Sequence, residues 1–325
     1  MSPSTPNRNQ HYMPAAVIGG FSVDVGHPLR ERTVWVRRRG KRQAFRQRAQ
    51  NLGAARDLYT LAGGSVGPGL DPSVVDRQWG MYEPLLPAAI AAIVDSNVRP
   101  LPARLWMNGL VPFLAGLFVR GPEFDRRFEA RPAVAAMRDH FGPAGFRDNT
   151  NYARLFEMQR LAFPVMGAEW TVVHPRVPAV AVTSDFGYCL TRHQGGGPVG
   201  YAVPLHPDAI LVLRLGPRCL QVRWTNAEWI VEGIQHATTT PGDVADFNAA
   251  IGGQGTEVYG STEEVVNTCA RAWECDQPAL PYGPGPAWLT PNPRVLPDQE
   301  LYAFRIRSLI ATPPGEERPT LVRMR

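Results

Sequence analysis

The stretch YAVPLHPDAILVLRL, residues 201–215, decides the fold class, because two short apolar runs flank a polar break in it. Both runs are rich in aliphatic residues and are bounded by turn-forming residues, which is typical of buried strands. The chain on either side of this stretch carries more runs of the same kind. The candidate strands are Trp170–Val173, Ala179–Thr183, Tyr201–Leu205, Ile210–Leu215 and Cys219–Arg223.

Helical patterns lie on both sides of this predicted sheet. Leu105–Val119 is apolar nearly all round, which indicates a central buried helix. Apolar residues recur at helical spacing over 85–94, Pro122 is placed to begin another helix, and Thr240-Pro241 is a helix start signal. We therefore predict an α+β fold in which a helical layer packs on a mostly antiparallel sheet.

Shorter patterns predict further elements. Val17–Val23 and Thr33–Arg38 have the composition of strands, and Arg39-Gly40-Lys41 is typical of a hairpin turn. Thr225-x-x-Glu228 resembles a capping box and predicts a helix that follows it.

Composition divides the chain into three segments. Residues 1–10 are polar, and we expect them to be flexible. Residues 11–275 are expected to form a single α+β domain. Residues 276–325 are rich in proline and predict an extended C-terminal extension, with a final strand at Leu301–Ile310.

The overall composition is that of a folded protein of reducing compartments. Of the 325 residues, 44% are hydrophobic and 19% are charged, which excludes wholesale disorder. The cysteines form neither a CxxC pair nor a zinc-binding spacing with histidine. The N-terminus has no secretory pattern, and the longest apolar stretch is too short to span a bilayer. We therefore expect a cytoplasmic protein that does not enter membranes.

Positive charge is concentrated in one place. The whole chain carries +5, and the seven basic residues of 37–48 carry +7, so the rest of the chain carries −2. A nucleic acid or an acidic macromolecule would therefore bind through this segment. A charged edge hairpin that prevents aggregation is the alternative interpretation. The candidate nucleic-acid-binding residues are Arg37, Arg38, Arg39, Lys41 and Arg42, with Trp35 and Phe45 as candidates for base stacking.

Several short motifs occur in a familiar order. The chain contains His11-Tyr12-Met13-Pro14 with Phe21 after it, then Arg120-Gly121-Pro122, then Trp170 with Thr183-Ser184-Asp185, and then Pro204-Leu205-His206-Pro207. This succession resembles an uncharacterised, mainly microbial family, domain of unknown function 4238, over roughly residues 10–275. Phe186-Gly187 departs from the Asn-Pro that usually follows the aspartate in that family. The resemblance implies a shared fold and a site that includes these motif residues, but no particular reaction.

Three residues are the candidate catalytic groups. His11 titrates near neutrality and could transfer protons, or it could order the N-terminal segment by bonding to backbone. Asp185 follows a β-rich run, where a carboxylate can reach a cleft, or it could close a turn with backbone N–H groups. Glu83 precedes a helix, where the helix dipole alone would favour it.

Three more residues are candidate substrate contacts. Arg120 ends the buried helix and could clamp a phosphate or satisfy the last carbonyls of that helix. Ser184 could orient Asp185. Asn248 could donate to a substrate or be a polar residue of the core.

These residues support two hypotheses. The first is a hydrolase, nuclease-like or directed at another phosphate ester, which uses a histidine and carboxylates. The second is a non-catalytic module that binds nucleic acid or an acidic partner through the basic hairpin. The sequence identifies no cofactor and leaves the use of a divalent metal ion open.

Overall fold

The computed structural model describes residues 9–62, 71–97, 99–129, 132–192, 198–214, 220–225, 228–273 and 303–305. Helices and strands are mixed along the described chain, and most neighbouring strands are antiparallel. The predicted α+β class, a helical layer on a mostly antiparallel sheet, is confirmed.

The helices of the described residues are named here in chain order. The longest of them, α7, is broken at Gly142, whose φ of 66° is not helical. They are α1 Ala15–Gly19, α2 Val74–Gly80, α3 Leu86–Val94, α4 Ala103–Leu105, α5 Val111–Arg120, α6 Pro122–Glu129, α7 Pro132–Met166, α8 Pro241–Gln254 and α9 Glu263–Ala270.

The strands are named in the same way. They are β1 Asn9–His11, β2 Thr33–Arg38, β3 Phe45–Arg48, β4 Ala54–Arg56, β5 Leu101–Pro102, β6 Glu169–Pro175, β7 Thr183–Ser184, β8 Cys189–Arg192, β9 Pro198–His206, β10 Ala209–Arg214, β11 Gln221–Thr225, β12 Glu228–Glu232, β13 Gln235–Thr239, β14 Glu257–Gly260 and β15 Ala303–Arg305. They form four sheets, with the orders β1-β4, β13-β6-β10-β9-β8-β15, β11-β12-β5 and β3-β2-β14-β7.

The six-stranded sheet separates two apolar cores. Its middle strands are apolar on both faces, as expected of strands that are covered on both sides. Along β10, Leu211 and Leu213 face the larger core, whereas Ile210 and Val212 face the smaller one. This alternation follows from the two-residue period of a strand. The helices α8 and α9 cover the smaller core.

A continuous helical segment crosses the larger core. It consists of α4, a π-helical turn at Trp106–Leu110, and α5. Pro112 lacks the N–H that would bond to the carbonyl four residues earlier, and the wider turn lies at this point. Apart from Pro112, every residue of α5 is buried, which confirms the predicted central helix. The segment ends at Arg120, inside the protein.

The four-stranded sheet joins the basic hairpin to the C-terminal half of the chain. The predicted hairpin of β2 and β3 is confirmed, with Gly40 at a φ of 78° in its turn. Strand β14 pairs with β2, so that Glu257 lies opposite Arg38. Strand β7 pairs with the other edge of β14 and is followed by Asp185. The sheet therefore brings Asp185, which follows β7, close to Glu257 on the neighbouring strand β14.

Two local predictions are wrong, and of the predicted strand Ala179–Thr183 only Thr183 lies in a strand, the short β7. Val17–Val23 was expected to be a strand, but residues 15–19 form the helix α1, since a short apolar run fits either element equally well. Thr225-x-x-Glu228 begins no helix, because β11 and β12 pair as a hairpin with Trp224 opposite Trp229. Cross-strand packing of two aromatic rings outweighs the local capping signal.

The predicted domain limits fall partly outside the described residues. Residues 9 and 10 were expected to be flexible, but with His11 they form β1, which pairs with β4. In the C-terminal extension, the structure describes Ala303–Arg305, which pair with Leu190–Arg192 at the edge of the six-stranded sheet. The remaining residues of 276–325 lie outside the description.

Candidate functional site

Arg120 is the centre of a buried polar cluster, and its side chain is 2% exposed. One terminal nitrogen donates to the hydroxyl of Tyr82 at 2.9 Å. The other donates to Glu83 Oε1 at 2.7 Å and to the backbone carbonyl of His11. We call these residues, together with Tyr59 and Trp79, the Arg120 cluster.

Three aromatic rings surround this guanidinium. Its central carbon lies 5.9 Å from the ring centroid of Tyr59, 5.2 Å from that of Trp79 and 5.8 Å from that of Tyr82. The hydroxyl of Tyr59 donates to the carbonyl of Arg120 at 2.8 Å. The negative faces of the rings attract the cation, so the aromatic groups stabilise the buried charge.

The environment keeps Arg120 charged. Burial alone would lower its pKa, but the neighbouring Tyr82, Glu83 and Tyr59 raise it above its ordinary value. Because both terminal nitrogens already donate inside the protein, Arg120 is not placed to clamp a substrate anion. The structure gives it a supporting role: it fixes the position of Glu83 and of the backbone at His11.

His11 is held as a neutral imidazole. Its Nε2 lies 3.0 Å from the carbonyl oxygen of Gln50. A carbonyl oxygen can only accept, so Nε2 carries the proton and Nδ1 keeps its lone pair. Burial lowers the pKa of His11; the bond to Gln50 and the charge of Glu83 act against this, and the charges of Arg120 and Arg30 add to it. The net shift is downward, so Nδ1 is a free base at neutral pH.

Glu83 is the partly exposed member of the Arg120 cluster. Its side chain is 32% exposed, and Oε1 is the oxygen that Arg120 holds. The charge of Glu83 raises the pKa of His11, which places the carboxylate within electrostatic range of the imidazole. Two of the candidate catalytic residues, His11 and Glu83, therefore lie near each other, since the same terminal nitrogen of Arg120 bonds to both.

Asp185 belongs to a second polar cluster. Its Oδ1 accepts from the backbone N–H groups of Thr256 and Glu257 at 2.9 and 3.1 Å, and its Oδ2 accepts from the Thr256 hydroxyl at 2.5 Å. A Cβ at Gly255 would lie 2.6 Å from Oδ1, so this close approach requires glycine. Burial raises the pKa of Asp185 to about 6; the bonds from Thr256 and Glu257 act against the shift, and the charge of Glu257 adds to it.

Glu257 completes this second group, which we call the Asp185 cluster. Its Oε1 accepts from Arg38 Nε at 2.5 Å, and its Oε2 accepts from the hydroxyl of Tyr259 at 2.6 Å. Burial raises the pKa of Tyr12, and the charges of Asp185 and Glu257 raise it further. Tyr12 therefore lies near both carboxylates.

The two clusters adjoin each other but are not one pocket. Tyr12 of the Asp185 cluster is next in the chain to His11 of the Arg120 cluster. Within the described residues, no hydrogen bond or ion pair joins Asp185 to His11, Glu83 or Arg120. The predicted catalytic set therefore divides: His11 and Glu83 come together around Arg120, and Asp185 lies with Glu257.

Sequence reasoning missed Tyr12, Glu257 and Tyr259. Tyr12 stood inside the quoted motif beside His11. Glu257 and Tyr259 are two residues apart on β14, a strand that was not predicted. Their alternation with apolar residues at strand period was the signal that could have found them.

Ser184 and Asn248 have local structural roles. The hydroxyl of Ser184 accepts from the N–H groups of Phe186 and Gly187 at 3.2 and 3.3 Å, which closes the turn after β7. The amide of Asn248 accepts from Val182 N–H at 3.0 Å and donates to the Val180 carbonyl at 2.9 Å. Both side chains satisfy backbone groups, so the structure does not support their predicted contact with a substrate.

The fold leaves part of the predicted nucleic-acid surface exposed and engages the rest in contacts within the protein. Arg38 pairs with Glu257 and lies 5.1 Å from the ring of Phe45, and Arg39 lies 6.0 Å from the ring of Trp273. Arg37 is also half-buried, and its Nε and Nη1 are enclosed. The cations that face solvent are those further along the hairpin: Lys41, Arg42, Arg46 and Arg48.

Two further properties bear on the chemistry of the described residues. They contain no group of three or more His, Cys, Asp and Glu side chains that could hold a metal ion. Among the helices that the structure describes, none combines the length and the apolar character needed to cross a bilayer.

Comparison of the chain with protein-family models, with curated proteins and with solved structures finds no match. The resemblance drawn from the sequence motifs therefore stays a prediction.

Proposed function

We propose that the protein is a hydrolase that cleaves a phosphate ester, with His11 as the general base. One observation supports this most directly: His11 keeps Nδ1 unprotonated beside a carboxylate that a buried arginine holds in place. A neutral imidazole with a fixed tautomer is the group best suited to remove a proton from water near neutral pH.

The proposed step uses two residues of the Arg120 cluster, His11 and Glu83. Nδ1 of His11 takes a proton from the attacking water as the new P–O bond forms. The P–O bond to the alcohol breaks, and the leaving oxygen takes a proton from solvent. Glu83 stabilises the imidazolium that forms on His11, because its charge favours the protonated ring.

Arg30 replaces Arg120 as the proposed contact for the phosphate. Arg30 is exposed, and its charge lowers the pKa of His11, so it lies within electrostatic range of the imidazole. Its guanidinium can present a bidentate fork to a phosphate. A cytoplasmic nucleic acid or a smaller phosphate ester is the proposed substrate.

The test compares His11→Ala with the wild-type chain on RNA, DNA and a small phosphodiester. We expect a loss of roughly 10²- to 10⁴-fold in kcat/KM. His27→Ala is the matched control, because the side chain of His27 is 63% exposed and outside the cluster. Circular dichroism and the Tm establish that both variants are folded. Full activity of folded His11→Ala would end the proposal.

The pH profile supplies a second readout. Because the base must be unprotonated, kcat/KM should rise with pH through an apparent pKa below the ordinary histidine value of 6.5 and then level off. Glu83→Gln removes the charge that raises the pKa of His11, so the rise should move to still lower pH while the maximum rate falls. A profile that Glu83→Gln leaves in place would remove Glu83 from the mechanism.

The exposed end of the basic hairpin favours a second candidate function, the binding of nucleic acid without cleavage. Lys41, Arg42, Arg46 and Arg48 all face solvent, and phosphate contacts from such residues give binding that weakens steeply with salt. The double variant Lys41→Gln, Arg42→Gln should weaken binding to any sequence and reduce the salt dependence. Binding that is indifferent to salt would contradict this function.

A further inference from the structure

A cavity of about 310 Å³ lies outside both polar clusters. It is an open cleft, lined by α1, the segment at residues 29–32, α3 and the turn between β9 and β10. Its volume falls at the lower end of the range of small-molecule sites.

The walls of the cavity are mainly aliphatic. Pro87, Ile90, Ala91 and Val94 recur at helical spacing, so one face of α3 forms one side. Ala16, Val17, Gly20, Leu29 and Leu205 form the rest. A ligand must therefore present an apolar body of modest size.

Three polar side chains complete the lining: Arg32, Asp95 and His206. Nε of Arg32 donates to the carbonyl of His27 at 2.8 Å, which orients the guanidinium and leaves its terminal nitrogens for other partners. Among the described residues, the structure records no hydrogen bond to the carboxylate of Asp95. The cavity thus has one cation and one anion with donor and acceptor groups to spare.

His206 adds a neutral donor. Its Nδ1 accepts from the N–H of Asp208 at 3.2 Å, so the ring proton is on Nε2. Burial lowers the pKa of His206, with Asp208 acting against this and Arg32 adding to it. The formal charges of Arg32 and Asp95 cancel, so the lining as a whole is neutral.

We propose that this cavity binds a free α-amino acid with an apolar side chain. Its carboxylate would accept from Arg32 and from Nε2 of His206, its ammonium group would donate to Asp95, and its side chain would lie against α3. A zwitterion matches the lining group for group and has the same zero net charge. A simple carboxylic acid would leave Asp95 without a partner, and an amine would leave Arg32 without one.

The test measures the Tm and the heat of binding of the full chain with L-leucine and L-phenylalanine at millimolar concentration. We expect both to raise the Tm, because a ligand that binds the folded state stabilises it. Leucinamide, 4-methylpentanoate and glycine each lack one of the three recognised groups and should bind at least tenfold more weakly. Equal binding of any of these analogues, or no binding of either amino acid, would overturn the proposal.

Variants of the lining make the test specific. Arg32→Gln and Asp95→Asn should each weaken leucine binding tenfold or more, and Ala91→Trp should abolish it by filling the cavity. Ala91 lines the cleft from an exposed position, so a larger ring there occupies the cleft and not the core. Arg99→Gln is the control, since Arg99 is exposed and does not line the cavity. Unchanged binding in Arg32→Gln would contradict the proposal whatever the outcome at His11.

Discussion

At the scale of single residues, Arg120 shows how a buried charge can organise a site without touching a substrate. It joins His11 to the adjacent residues Tyr82 and Glu83, which lie about 70 residues further along the chain. The sequence identified Arg120 as important but suggested a clamp for an anion. Its actual partners could not be predicted, since a motif specifies a residue type and not which groups fold around it.

Removing this guanidinium should be strongly destabilising. Arg120→Met leaves the carboxylate of Glu83 without its partner and removes the cation from among the three aromatic rings. We therefore expect a loss of about 3–5 kcal/mol in the free energy of unfolding. Arg120→Lys should recover only part of it, because an ammonium cannot reach all three acceptors. Urea unfolding measures both. Arg99→Met, at an exposed arginine, should stay within about 0.5 kcal/mol of wild type.

Asp185 makes a pH-dependent contribution to stability. Its pKa rises from 3.8 to about 6 on folding, so the folded state binds the proton more tightly than the unfolded state. The favourable effect of protonation is fully present below pH 3.8 and is lost as the pH rises through 6.

Asp185→Asn lacks this dependence. The unfolding free energy of wild type minus that of the variant should therefore fall by roughly 1–3 kcal/mol between pH 4 and pH 7. Urea unfolding at several pH values measures it, with Asp246→Asn at an exposed carboxylate as control. A difference that increases with pH would show that the hydrogen bonds from residues 256 and 257 outweigh burial.

At the scale of elements, the success of the sequence predictions depended on how strongly periodic each segment is. The long apolar run of Leu105–Val119 can only be a buried helix, and it was predicted correctly. The short run at Val17–Val23 fits a helix or a strand, and the choice was wrong. The signal at Thr240 was correct, since Thr240 and Asp243 form a capping box. The similar signal at Thr225 failed where tertiary pairing decided the outcome.

Contact between elements gives a prediction for Gly116 in α5. A Cβ at this position would lie 2.8 Å from the hydroxyl of Tyr82. Gly116→Ala should therefore displace Tyr82 from Arg120 and destabilise the protein by about 1–3 kcal/mol. Gly80→Ala is the matched control, because a Cβ there meets nothing within 4 Å. Equal stability of the two variants, compared by urea unfolding, would show that Tyr82 can move freely.

At the scale of the whole molecule, the arrangement of two apolar cores on the two faces of one sheet could not be predicted from the sequence. The apolar runs of β6, β9 and β10 indicated burial but not which helices cover which face. For the same reason, the sequence named His11, Glu83 and Asp185 as candidate catalytic groups but left open whether they meet, and it did not indicate that Asp185 would lie with Glu257. Such groupings depend on contacts between residues far apart in the chain.

The smaller core offers a measurement of how the two cores unfold. Cys189 and Cys269 both lie in it, and burial raises the pKa of each thiol, that of Cys269 to about 12. In a Cys219→Ser, Cys275→Ser background, both should react with a thiol reagent only as fast as the whole protein unfolds. Faster labelling of Cys269 than global unfolding would show that α9 opens independently of the larger core.

The chain order of the Arg120 cluster has a consequence for synthesis. Every partner of the guanidinium, from His11 to Glu83, precedes Arg120 and leaves the ribosome before it. In the nascent chain, the partners of Arg120 therefore lack the guanidinium until the end of α5 emerges. Ribosome-bound chains that stop short of residue 120 should therefore remain open to proteases around His11 and Glu83.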